Sequence, residues 1–134
     1  MACHQRFATP PTLVDLDLIA RQAFATLPEV LRRHLKGVII QIAEFCDAET
    51  EEEMDLENPF ELLGLYQGTS LPHKSAGDIV AEPDMIFLYR RPILDYWCET
   101  GEDLGRVVRH VLIHEIGHHL GFSDEEMNYI ETMD

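Results

Sequence analysis

Basic residues are scarce in this chain. Ten Lys and Arg stand against 25 Asp and Glu, for a formal net charge of −15 over 134 residues. Neutralising phosphates requires a cationic face, so nucleic acid and anionic membrane are disfavoured partners. Cysteine is sparse too: Cys3, Cys46 and Cys98 are odd in number, widely spaced and form no C-x-x-C pair. That argues against a disulfide framework and an all-cysteine metal site. No apolar run approaches the roughly 20 residues that span a bilayer, and the first residues lack the basic-then-apolar pattern of a secretory signal. A cytoplasmic protein is the expectation. A cationic substrate, such as a basic peptide, would be attracted to so acidic a molecule.

Apolar residues make up 46% and charged residues 26%. This balance, at this length, fits one globular domain over residues 1–134. Residues 1–11 read as a loose leader. From Thr12 to Leu27 apolar positions recur at three- and four-residue steps, which predicts an amphipathic helix, with Thr12 or Asp15 as its cap and Pro28 as its end. A short helical turn follows over Pro28 to Leu35. GVIIQIAEF (37–45) and MIFLYR (85–90) read as strands, and FELLGLYQG (60–68) as a turn leading into a third. Pro92 opens a short helix, and residues 69–83 read as loop. Seven acids between Asp47 and Glu57 predict a solvated acidic loop, since like charges repel. Gly105 to Leu120 is the strongest helix, with Gly121 at the expected left-handed stop. Ser123 to Glu126 looks like a capping box for a last helix through Met133. The fold class is therefore α+β, about three short strands packed against helices.

The chemistry sits in HEIGHHLGFSD, residues 114–124. Residues four apart on a helix share a face with Cβ atoms about 5–6 Å apart. His114 and His118 can thus direct ring nitrogens at one zinc ion. Glu115, about 100° round the helix, is poorly placed to ligate and well placed to serve as a general base on water held there. The bare H-E-x-x-H pattern would arise in about one shuffled chain in 25, whereas requiring Gly121 and Asp124 as well lowers this to about one in several thousand. Asp124, six residues after His118, is the candidate third ligand. Its other reading is a first-turn acid favoured by the dipole of the last helix. His110 lies one turn before His114 and would approach the metal if Asp124 does not. His119 points elsewhere and reads as a supporting or surface residue. Tyr66, Tyr89, Arg109 and Tyr129 are conceivable oxyanion donors, and either MIFLYR or GLYQG could offer a sheet edge to an extended peptide.

HEIGHHLGFSD resembles the H-E-x-x-H-x-x-G-x-x-D form of the zincin signature. With NPFELLGLYQG, PDMIFLYRRPI and VVRHVLIHEIGHH it is similar to the minimal zincin-like metallopeptidases, a family of short bacterial proteins. That resemblance implies a reduced zincin core, with Zn²⁺ held by His114, His118 and Asp124, Glu115 as catalytic base, and a peptide or protein as substrate. Unlike the long metzincins, the sequence is not expected to form a methionine turn under the metal after Asp124, so Met127 and Met133 are not read that way. The alternative is a zinc-binding or interaction module that keeps the fold without catalysis. A metal-dependent nuclease is opposed by the net charge. Oligomeric state has no signal in the sequence.

Overall fold

The computed structural model describes residues 9–68 and 83–132. Most of the leader, most of the 69–83 loop, Met133, and with them Cys3, His4 and His73, lie outside these residues.

The chain runs α1 (Leu13–Ala25), α2 (Glu29–Arg32), β1 (Ile39–Ala43), α3 (Ala48–Glu53), β2 (Gly64–Gln67), β3 (Met85–Tyr89), α4 (Arg90–Thr100), α5 (Leu104–Leu120) and α6 (Asp124–Glu131). The α+β reading holds. Thr12 caps α1 through a reciprocal box: its hydroxyl accepts from the Asp15 N–H at 3.1 Å, and the Asp15 carboxylate accepts from the Thr12 N–H at 2.8 Å. The apolar face Leu16, Ala20 and Ala23 is then buried against α5 and β1.

The sheet order is β1-β3-β2, with β1 parallel and β2 antiparallel to β3. MIFLYR is therefore the central strand, consistent with fully buried Ile86 and Leu88. Of the two segments considered as an edge, only GLYQG lies at one among the described residues. Beneath the sheet, α5 contributes Val107, Val108, Val111, Leu112, Ile113 and Ile116 to the core. β2 meets α5 closely at Gly64, where an added Cβ would stand 2.7 Å from Val111 Cγ1 and 3.1 Å from the Phe87 carbonyl oxygen.

Two local expectations are corrected. The acidic segment is not all loop: Ala48–Glu53 forms α3, because the Asp47 carboxylate accepts the Thr50 N–H at 2.7 Å and Glu49 and Glu51 sit in the first turn. Acids there favour the positive end of the helix dipole, and the backbone gains more than side-chain repulsion costs. Its acids still face solvent, apart from a half-buried Glu51. Helix α4 starts at Arg90, two residues before Pro92, and ends at left-handed Gly101.

No helix among the described residues is long and apolar enough to cross a membrane.

Candidate metal centre

Helix α5 stops at Gly121, whose φ of 83° is costly for any residue with a Cβ. The Gly121 N–H donates to the His118 carbonyl at 3.2 Å and the Phe122 N–H to the Gly117 carbonyl at 2.8 Å. These two bonds are a Schellman stop, which satisfies the last carbonyls of α5 and reverses the chain. Ser123 then caps α6 with Glu126 in a second reciprocal box. Buried Met127 and Ile130 hold α6 back along α5. The return places the last turn of α6 beside residues 110–114.

His114 and His118 project from the same side of α5, their ring centroids 6.0 Å apart and nearly perpendicular. His118 Nε2 lies 3.9 Å from Asp124 Oδ1, and both side chains are more than half exposed. His114 is more enclosed. Its Nε2 stands 3.1 Å from Glu131 Oε1, and the same oxygen is 2.5 Å from His110 Nδ1. His110 and His114 rings lie 4.1 Å apart. The predicted residues are thus brought to one face, where two groups meet at His114. His118 and Asp124 lie on one side, His110 and Glu131 on the other.

Glu115 is half-buried and lines a cavity of about 300 Å³ that also exposes His110, His114 and His118 over a floor including Leu62, Leu63, Val107 and Val111. Burial pushes its carboxyl above the usual carboxylate range, opposed by the positive charge of His118 and a hydrogen bond from the Tyr66 backbone N–H. His114 is held below its ordinary value, chiefly by burial and then by the charge of His110, while Glu131 pulls the other way.

Tyr66 links the β2 edge to the motif helix. Its phenol donates to Asp84 Oδ2 at 2.8 Å, and its ring stacks on His119 at 3.9 Å between centroids. Burial and the Asp84 carboxylate push the phenol well above its usual range. His119 is accordingly an exposed supporting residue. Among the conceivable oxyanion donors, Tyr89 is buried, Tyr129 is 70% exposed, and Arg109 Nη1 donates to the Glu131 carbonyl at 3.2 Å.

The donor set suits zinc. It comprises imidazole nitrogens and carboxylate oxygens on converging helices, the ligand types that zinc takes in open sites. His114 Nε2 and Glu131 Oε1 are buried and make no well-directed hydrogen bond among the described residues, although Glu131 Oε1 also faces His110 Nδ1. Close but misaligned, they are what a cation between them would satisfy.

Sequence reading missed two contributors. Glu131 stands thirteen residues after His118, beyond any motif spacing, and reaches the site only because α6 folds back. Gly117, inside the motif, lies under Met127, and a Cβ there would overlap Met127 Sδ and Cγ. Neither carries a signal short of placing α6.

Fold and site together define a small α+β protein built around an H-E-x-x-H helix. The family model for zincin-like metallopeptidases matches residues 35–133, and the chain belongs to that family. Among curated proteins, no match is found.

Proposed function

We propose that this protein is a zinc-dependent peptidase, with His114, His118 and Asp124 as metal ligands and Glu115 as general base. The observation that carries the reading is the placement of Glu115. It lines the same cavity as both motif histidines, yet is held by β2 through the Tyr66 N–H rather than paired with either of them.

A zinc ion bound there supplies Lewis acidity and lowers the pKa of water to near 7. Glu115 takes the proton as water attacks the amide carbonyl, then returns it to the leaving amine. The raised pKa direction of its buried carboxyl suits a group that must both accept and give a proton. The Tyr66 N–H fixes the carboxylate at the cavity, and the apolar floor of Leu62, Leu63, Val107 and Val111 excludes bulk water behind it. An extended peptide fits by strand addition along β2, the edge nearest the motif helix. A net charge of −15 favours basic peptides.

One observation favours the second reading, a zinc-binding module without turnover. Glu131 approaches His114 more closely, at 3.1 Å, than Asp124 approaches His118, at 3.9 Å. A metal closed off by further protein ligands would be structural.

The test is cleavage of a mixed peptide library followed by mass spectrometry. Zinc-loaded protein should cut internal bonds, preferentially beside Lys or Arg. Stripping with a chelator should abolish cleavage, and added zinc should restore it. Fully loaded protein that cleaves nothing would leave the binding-module reading.

A further inference from the structure

His110 and Glu131 lie outside the H-E-x-x-H-x-x-G-x-x-D pattern, and the peptidase mechanism uses neither. Donor atoms of His110, His114 and Glu131 all lie within 4.8 Å of one another. Tetrahedral ligands at about 2.0–2.1 Å from a metal stand about 3.3 Å apart. The 3.1 Å between His114 Nε2 and Glu131 Oε1 is close to that edge. Both atoms are buried without a well-directed hydrogen bond among the described residues, and Glu131 Oε1 also faces His110 Nδ1 at 2.5 Å, a crowding that an ion between the three donors would relieve. The position of Glu131 follows from the fold. Met127 seats α6 on Gly117, and the Arg109 guanidinium holds the Glu131 carbonyl at 3.2 Å. His110 follows equally, one helical turn from His114 on the same face.

We propose that His110, His114 and Glu131 form a second site for a divalent ion of the zinc class, sharing only His114 with the catalytic set. One imidazole nitrogen binds one ion, so the two positions exclude each other. An ion on the Glu131 side leaves His118 and Asp124 unligated and the catalytic position vacant. An ion on the His118 side frees His110 and Glu131. The protein thus holds one zinc in either of two registers across α5, one supporting hydrolysis and the other storing the metal without it. The inference rests on His114 as a ligand and not on turnover.

The test is zinc affinity, measured by competition with a chromogenic chelator, in the full chain. The background is His118→Ala with Asp124→Ala, both exposed positions, so the fold should persist; circular dichroism of the metal-free proteins checks this. That double variant should still bind one zinc per chain. Adding Glu131→Gln should then weaken binding by more than the roughly 10–100-fold that loss of an outer hydrogen-bond partner costs. Adding the exposed His110→Ala instead should alter the visible spectrum of the cobalt-substituted protein. No zinc in the folded double variant, a smaller loss with Glu131→Gln, or an unchanged cobalt spectrum would each overturn the second site. A wild type that binds zinc without cutting peptides would overturn only the peptidase reading.

Discussion

Glu115→Gln should retain zinc at close to wild-type affinity and lose hydrolysis by about 10²–10⁴-fold, the usual contribution of a positioned general base. Glutamine is isosteric, and its amide oxygen can still accept from the Tyr66 N–H that anchors Glu115. The cavity wall should therefore keep its shape while the proton acceptor disappears. Zinc content and peptide cleavage measured on one sample separate the two effects. Loss of zinc would make Glu115 a ligand, and unchanged turnover would make it a bystander. Neither outcome fits a carboxylate tied to β2 beside the motif histidines.

Gly117→Val should destabilise the protein by about 3 kcal/mol, at the upper end for overpacking a filled core. In an open helix, replacing glycine would gain several tenths of a kcal/mol in propensity. Here even a Cβ meets Met127, which is fully buried. The added side chain must displace α6 or force Met127 from its place, and packing outweighs propensity. Because α6 carries Asp124 at its start and Glu131 at its end, zinc affinity should fall with stability. Chemical denaturation of Gly117→Val, Met127→Ala and the double variant measures this. The double should cost less than the sum of the singles, with a coupling of about 1 kcal/mol or more. Strict additivity would show that the two residues do not press on each other.

Local signals in the sequence carried much of the fold. The cap at Thr12, the Ser123–Glu126 box and the stop at Gly121 are chemistry within a few residues, legible without tertiary context. The H-E-x-x-H register is legible for the same reason, since the helix alone brings His114 and His118 to one side. Strand order is not local. That MIFLYR lies between its two neighbours, leaving GLYQG as an edge, depends on long-range pairing that alternation of side chains does not encode. α3 was hidden by its own composition, where seven acids suggested repulsion and the Asp47 cap decided the backbone instead. Glu131 was hidden more deeply. It becomes a neighbour of His114 only after α5 stops, the chain reverses and Met127 docks on Gly117, three events whose combined geometry no single motif spells out.

His114 belongs to both proposed ligand sets, which makes it the most direct point of test. The measurement is zinc per chain by mass spectrometry, on wild type and His114→Ala after loading and removal of free metal. About one zinc in the wild type and almost none in the variant is the expected result. A wild type that takes up no zinc, or a folded His114→Ala protein that keeps a full equivalent, would contradict a metal centre built on this helix.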